Sequence, residues 1–375
     1  MQKKSKNRPL RIVHLTASLK VGGAETLLVN LVDDLRSYQF EQSVICFHDG
    51  FNADAIKELG VSVYNVKGFL FRYDLLFFIR LFLLLRKLSP DCIHSLLWVA
   101  NFAGRLIAHM LKIPIVCALH NNSGINGKIR VLLDRCITKK TDLFIAVSDE
   151  VKSSAAKYVP VINDTAVKVI TNGIDTGRCH RLAMRLRKNR ADLNLSKDHF
   201  VIGSVGRLVE LKNYSLFVDQ IKDIILRFSH VRFVLVGTGP QEQFLRQKIK
   251  EIGLQDYAVI ISNQVAMPYY LLFDCFVLPS YKEGISIALL EAMSFGLPCI
   301  VGNHGREHPV IKSGENGIVV TPNDNFGEAL IPLIENEDIR ITLSLAAKKT
   351  LHSHFYFNNM VKSYAELFGS VSNRI

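Results

Sequence analysis

From Arg11 onward the chain alternates short runs rich in Val, Ile and Leu with stretches whose apolar residues recur every three or four positions. RIVHLTAS gives way to AETLLVNLVDDLR, QSVICFHD to NADAIKELG and then VSVYNV, and the rhythm resumes with CIHSL, PIVCALH, LFIAVS and VKVIT. Runs that are apolar throughout, separated by helical periodicity, predict βαβ units on a parallel sheet covered on both faces. After NGID (172–175) the texture turns polar, basic and strandless through TGRCHRLAMRLRKNRADLNLSKD, which reads as a connection between domains. A second series follows, with FVIGSVGRL, VRFVLVG, AVIIS, CFVLPS, PCIVGN and GIVV as candidate strands and YSLFVDQIKDIILRF and EQFLRQKIKEIG as candidate helices. The expected class is α/β, with two Rossmann-like doubly wound parallel-sheet domains facing a central cleft and an amphipathic tail, FYFNNMVKSYAELF (355–368), beyond the last strand.

A chain of 375 residues exceeds the size at which one hydrophobic core stops growing, which agrees with two domains. The net charge of +12 favours an anionic partner: nucleic acid, a phospholipid surface or a phosphorylated small molecule. The basic clusters KKSKNR (3–8), RLAMRLRKNR (181–190) and LLFFIRLFLLLRKL (75–88) carry no nucleic-acid fold signature, so nucleic acid is not an expected partner. Seven cysteines without any C-x-x-C pair read as reduced core thiols of an intracellular protein. The basic N-terminus runs into an alternating strand containing His14, not the apolar core of a secretory signal. YDLLFFIRLFLLLRKL (73–88), the most apolar stretch, is interrupted by Arg80 and falls short of the ~20 residues a span needs. It reads either as a core-facing helix or as an interfacial helix on anionic lipid.

Two stretches carry chemistry. In FVIGSVGRLVELKNYSLFV, Gly206 ends a strand and Arg207 and Lys212 follow at the entry to a helix, which is either an anion cradle suited to phosphate or a solvated basic loop. CFVLPSYKEG ends another strand, and ISIALLEAMSFG then reads as a helix closed by Gly296 and Pro298. If residues 283–291 rise helically, Glu283 and Glu291 lie about 12 Å apart along the axis. The backbone amides of Gly284, Ile285, Ser286 and Ile287 are then exposed between them. That spacing suits a sugar nucleotide, with hydroxyls at each end and a diphosphate on the helix N-terminus. The plainer reading is one Glu favouring the helix dipole and a second on the surface. No D-x-D follows a strand and no histidine pair has metal spacing, so metal-independent chemistry without a cofactor is expected.

Taken together, these motifs resemble glycosyltransferase family 4, of the GT-B fold. Glu283-Gly284 with Glu291-Ala292-Met293 and Gly296-Leu297-Pro298 is similar to its E-G-(six residues)-E-A-M-(two residues)-G-x-P signature. Arg207 and Lys212 match its G-R-L-(four residues)-K element, GTGP (237–240) its G-x-G-P turn, NGID its inter-domain motif, SGENGIVV its late glycine-rich strand and GGAE (22–25) its glycine-rich loop. The resemblance implies an N-terminal acceptor-side domain (1–175), a linker (176–197), a nucleotide-sugar donor domain (198–352) and a C-terminal helix (353–375) crossing back to the first domain.

It further implies that Arg207 and Lys212 neutralise the leaving diphosphate, Glu283 contacts the transferred sugar and Glu291 the ribose. Gly22 and Gly23 would let backbone approach the phosphates, Gly206 and the 284–287 amides complete the donor site, and His120 stands where the family often has a His or Asp near the reacting centre. Two positions depart from the pattern: Pro309 where the family often has Glu, with Glu307 and His308 beside it, and Asn263 where it has Gly.

The expected function is retaining transfer of a hexose-type sugar from a UDP- or GDP-sugar to a saccharide or lipid-linked saccharide in cell-surface polysaccharide synthesis. The expected location is the cytoplasm, with peripheral contact on the inner membrane face. The alternatives are a sugar-nucleotide epimerase or phosphorylase of the same architecture, or a non-catalytic sugar-nucleotide-binding scaffold.

Overall fold

A computed structural model of the chain describes residues 8–20, 22–67, 75–119, 137, 141, 143–158, 167–281, 283–303 and 308–372. The chain divides into two compact units, 1–172 with 358–375, and 173–357.

The first unit runs β1 (Leu10–Ser18), α1 (Gly23–Leu35), β2 (Phe40–His48), α2 (Phe51–Glu58), β3 (Ser62–Asn65), α3 (Leu75–Leu88), β4 (Cys92–Leu96), α4 (Trp98–Leu111), β5 (Ile115–Leu119), β6 (Leu143–Ala146), α5 (Asp149–Tyr158) and β7 (Val167–Val169). Its strands form one parallel sheet in the order β3-β2-β1-β4-β5-β6-β7.

The second unit contains α6 (Thr176–Arg185), β8 (Phe200–Val205), α7 (Tyr214–Gln220), α8 (Lys222–Arg227), β9 (Val231–Val236), α9 (Glu242–Glu251), β10 (Ala258–Ile261), β11 (Cys275–Leu278), α10 (Ile287–Ser294), β12 (Cys299–Gly302), β13 (Ile318–Val320), α11 (Phe326–Glu335) and α12 (Glu337–His354). Its parallel sheet has the order β10-β9-β8-β11-β12-β13. Each sheet winds outward from a central strand in both directions, from β1 in the first and from β8 in the second. Strand order therefore switches between β1 and β4 and between β8 and β11, where connections diverge and leave room for a ligand at the carboxyl edge.

Two features differ from the sequence expectation. The polar stretch from Thr176 is no bare connection: α6 buries Cys179 and Ala183 in the second unit's core, alongside Leu289 and Leu290. Its apolar positions recur at helical spacing within a basic composition, and the Asp175 carboxylate caps it by accepting the Arg178 amide at 2.9 Å. Arg190, also in that stretch, is tied to Asp274 at 2.7 Å, and the same carboxylate oxygen accepts the Val201 amide. The helix expected over YSLFVDQIKDIILRF is two, α7 and α8, meeting at Ile221. Asn263 adopts φ 56°, the left-handed region that glycine usually fills and that Asn tolerates better than most residues.

The tail forms α13 (Phe357–Ser372), which packs on the first unit. Its Tyr364 and Phe368 rings lie 5.3 and 5.4 Å from the His94 ring, and Phe368 also meets His14 at 6.2 Å. His14 and His94 are fully buried on adjacent strands with their Nδ1 atoms 3.0 Å apart. The His14 Nε2 faces Gln42 Oε1 at 3.2 Å, and the Gln42 amide is oriented by donating to the Val32 carbonyl. That carbonyl oxygen can only accept, so His14 carries its proton on Nε2 and its Nδ1 accepts from His94.

α3 buries Phe77, Leu81 and Leu85 and turns Leu75, Leu76, Ile79 and Leu83 outward. Among the described residues no helix is long and apolar enough to cross a membrane.

Burial lowers His14 from 6.5 to about 4. The unfolded chain then takes up a proton below pH 6.5 that the folded chain refuses until about pH 4, so this stabilisation is present above 6.5 and lost as pH falls toward 4. The full term is about 3 kcal/mol. Urea unfolding of wild type and His14→Gln at several pH values should show their difference shrinking over that window, while a pH-independent difference would refute the assignment.

Candidate functional site

β8 ends at Val205, and the chain leaves it through Gly206 and the exposed Arg207. A Cβ on Gly206 would stand 2.6 Å from the Tyr214 hydroxyl and 3.5 Å from Lys212 Cε, so this position has no room for a side chain. The GTGP turn braces the same loop. A Cβ on Gly237 would fall 1.8 Å from the Gly206 carbonyl, and one on Gly239 would fall 2.3 Å from that of Leu208. Leu208 donates to Thr238 O at 2.8 Å and accepts from Gln241 N at 3.0 Å. The two glycines are there because two backbones touch.

A short 3-10 turn, Glu210–Lys212, then carries Lys212, and Asn213 reverses the chain at φ 56° into α7. On the neighbouring strand, β11 leads to Ser280 and Tyr281, whose amide donates to the Leu211 carbonyl at 3.1 Å. This bond stitches the connections after β8 and β11 together. Beside it Lys212 and Glu283 form an ion pair, with side chains only 12% and 17% exposed.

Glu283 lies in the loop before α10, not within it: the helix starts at Ile287 with Ser286 as an extended N-cap whose side chain makes no capping bond. The rise over 283–291 is therefore not wholly helical. Ile285 is buried in the same apolar cluster as Leu289 and Leu290, which fixes the entry of Gly284, Ile285 and Ser286 into the helix. The first helical bond is that from Leu290 N to Ser286 O, so the amides of Ile287, Ala288 and Leu289 have no partner along the helix.

Glu291, one turn further, is buried, and the Tyr270 hydroxyl donates to its Oε2 at 2.8 Å, with the Ala288 carbonyl at 3.1 Å. Burial pushes this carboxyl up to about 7, and the Tyr270 bond opposes only part of that shift. Glu291 is not an ordinary surface residue. Tyr270 is in turn stacked on Phe295 at 5.5 Å, and the neighbouring Cys179 thiol is pushed up to about 12 by burial and by Glu291.

A further pattern was hidden from the sequence. Among the described residues of the second unit, the buried side-chain polar atoms without a hydrogen bond are Asn213 Nδ2, Tyr214 Oη, Ser280 Oγ and His308 Nε2. All four belong to connections that leave β8, β11 and β12, three adjacent strands, at their carboxyl edge. Gly302 brings the last two together, since a Cβ on it would stand 2.8 Å from the Ser280 carbonyl. The Tyr214 hydroxyl lies near Ser204, whose own proton goes to the Val277 carbonyl at 2.6 Å, and burial raises the phenol above its usual range.

His308 accepts the Val310 and Ile311 amides on Nδ1 at 3.2 and 3.0 Å, which leaves the proton on Nε2. Burial lowers the ring to about 4 and keeps it neutral at pH 7. Native proteins leave few buried polar groups unpaired, so four such atoms at one sheet edge mark a candidate polar site.

In the first unit, Gly22 is the extended N-cap of α1 and Gly23 its first residue, at the switch point beside β1. His120 lies outside the described residues. Among the described residues no group of three or more His, Cys, Asp or Glu is arranged to hold a metal ion.

The model for glycosyltransferase family 4 matches residues 21–178, and that for glycosyl transferases group 1 matches residues 186–350. The chain belongs to glycosyltransferase family 4. Proteins similar to this chain include the UDP-Gal:alpha-D-GlcNAc-diphosphoundecaprenol alpha-1,3-galactosyltransferase of Escherichia coli, 26% identical over 90% of this chain and 91% of that one. The lipopolysaccharide core biosynthesis glycosyltransferase LpsD of Rhizobium meliloti is 25% identical over 96% and 98%. Among solved structures, Anabaena HepE in complex with UDP and glucose superposes with a TM-score of 0.83 at 19% identity, covering 96% of this chain and all of that one, which shows the GT-B fold.

Glu291 generates a stability prediction of the opposite sign to His14. Its carboxyl is raised from 4.5 to about 7, so the folded state holds the proton more tightly and wild type loses stability as pH rises across that window. Glu291→Gln should gain on wild type between pH 5 and 8, by up to about 3 kcal/mol. A melting-temperature difference that does not grow with pH would refute the shift.

Proposed function

We propose that this glycosyltransferase transfers a hexose-type sugar from a UDP-sugar to a lipid-linked saccharide, with retention of anomeric configuration and without a metal ion. The observation that supports the reading best is the grouping of Lys212, Glu283, the Gly206 turn and the uncapped start of α10 at the switch point of the second sheet.

In the resting enzyme Lys212 and Glu283 satisfy each other. When the donor binds, Lys212 turns to the diphosphate and Glu283 accepts hydrogen bonds from sugar hydroxyls. The amides of Ile287, Ala288 and Leu289, with the positive end of the α10 dipole, take phosphate oxygens, and Arg207 adds a second cation. The Glu291 carboxylate receives the ribose hydroxyls while Tyr270 holds it in place. The orphan donors on Asn213 and His308 find acceptor oxygens on the same ligand.

As the glycosidic bond breaks, positive charge grows on the sugar ring and negative charge on the departing diphosphate. Fixed cations and amides aimed at the diphosphate lower that barrier without reorganising. The UDP donor and lipid-linked acceptor are suggested by the name of the E. coli galactosyltransferase and by the UDP-bound HepE structures.

UDP-sugars, more than GDP-sugars, should raise the melting temperature, because a ligand that favours the folded state stabilises it. Lys212→Ala should lower kcat by roughly two to three orders of magnitude, the loss typical of one preorganised charge stabiliser. The variant should still fold, since the position is at the sheet edge and not in the core. Undiminished turnover in Lys212→Ala would overturn the mechanism.

The outward face of α3 supports peripheral docking on anionic lipid. Leu75, Leu76, Ile79 and Leu83 are exposed in a stripe, with Arg80, Arg86 and Lys87 on the same helix. Each basic side chain near such a surface contributes about 1 kcal/mol. Flotation with phosphatidylglycerol vesicles should carry wild type upward at low salt and leave Leu83→Glu below; wild type left in the soluble fraction would refute docking.

A further inference from the structure

Apart from Gly22 and Gly23, the residues proposed for the donor lie in the second unit, yet the first sheet has a switch point of its own between β1 and β4. In parallel α/β sheets that is where ligands sit, outside the carboxyl ends of the strands. One side of the crevice is the Gly22–Gly23 start of α1. The other is the turn from β4 into α4, whose first helical residue is Trp98, the single tryptophan of the chain.

This turn is built in an unusual way. Leu97 adopts φ 70° and ψ 152°, a conformation that a branched L-residue strongly disfavours. It is held there by a buried clamp: Asn101 donates its Nδ2 to the Ala118 carbonyl at 3.0 Å, accepts the Ser95 hydroxyl at 2.7 Å, and sends its backbone amide to Leu97 O at 2.9 Å. One side chain thus joins the first turn of α4 to β4 and β5. On this fixed turn the Trp98 and Phe102 rings stack at 5.7 Å with 17° between their planes, and both remain partly exposed. A strained turn, clamped from the interior and presenting a rigid aromatic pair at a switch point, is a surface shaped for a flat apolar face.

We infer that Trp98, backed by Phe102, is the acceptor subsite and stacks on the apolar C–H face of the acceptor's terminal pyranose ring. The inference rests on the proposed glycosyltransfer to a saccharide and adds where that saccharide is held. Pyranose C–H bonds on one face carry partial positive charge and meet the electron-rich face of the indole, while hydroxyls at the ring edge stay free for hydrogen bonds and for attack. Trp98 makes no bond in the reaction; it holds the acceptor ring in the subsite and so acts on acceptor binding, not on the chemical step.

The lone tryptophan is also the reporter. Sugars joined through a diphosphate to a short alkyl chain, carrying N-acetylglucosamine, N-acetylgalactosamine, glucose or galactose, are offered with the UDP-sugar that stabilises the protein, and the one turned over is carried forward. Titrating it into wild type should change the indole emission saturably, and UDP alone should not. Trp98→Ala should raise the acceptor KM about tenfold, the loss of one aromatic contact. kcat and the donor KM should stay near wild type, and Trp98→Tyr should recover most of the affinity.

Emission indifferent to the acceptor, or an unchanged acceptor KM in Trp98→Ala, overturns the subsite while donor stabilisation and turnover leave the enzymatic reading intact. If UDP-sugars stabilise the protein but none of the four saccharides accepts a sugar, the proposed acceptor class falls and the subsite with it. The emission titration uses wild type, so it decides the matter even if Trp98→Ala fails to fold.

Discussion

Parallel strands put all their carboxyl ends on one edge, and this single constraint organises both units. Where the winding direction reverses, the connections on either side part company and neither covers the gap. In the second sheet that gap lies between β8 and β11. The chain stitches the two flanking loops by one backbone bond, from Tyr281 N to Leu211 O, and places opposite charges on them. The Lys212–Glu283 pair is thus a consequence of topology: the residues are far apart in sequence and come together because their strands are neighbours.

A half-buried ion pair at such a place has a use beyond stability. Two charges withdrawn from water cost desolvation free energy that their mutual attraction roughly offsets, so the pair contributes little to folding. It does keep a cation and a carboxylate preoriented and charged. A ligand bearing both phosphate and hydroxyl groups can divide the pair between them without either charge being left alone. The buried Glu291, with its raised pKa and its tyrosine partner, is a second group whose placement disfavours folding at neutral pH.

Much of this was legible from residue order. The β-branched runs marked the strands correctly because parallel strands are buried on both faces, and Gly296 closed α10 at φ 71° as a helix-terminating glycine does. α6 was not legible as part of the core, because its small buried residues Cys179 and Ala183 are dispersed among arginines. Nor was the brace at Gly237 and Gly239, where glycine serves contact with the Gly206 and Leu208 backbone. The GTGP string looks the same whether its neighbour is a phosphate or another loop. The orphan atoms on Ser280, Asn213 and His308 were beyond reach for a different reason: a missing hydrogen bond is a property of the whole neighbourhood, not of a residue type.

Beneath the final helix, in the first sheet's interior, His14 is paired through both ring nitrogens, with His94 and with Gln42. At the carboxyl edges, four buried polar atoms among the described residues of the second unit lack a hydrogen bond, and Leu97 sits at a positive φ in the first. Those four atoms sit on the connections after β8, β11 and β12, and the first two of these connections also carry Lys212 and Glu283. Substrates of a glycosyltransferase are rich in oxygen acceptors, which is the chemistry that unpaired donors such as Asn213 Nδ2 and His308 Nε2 match.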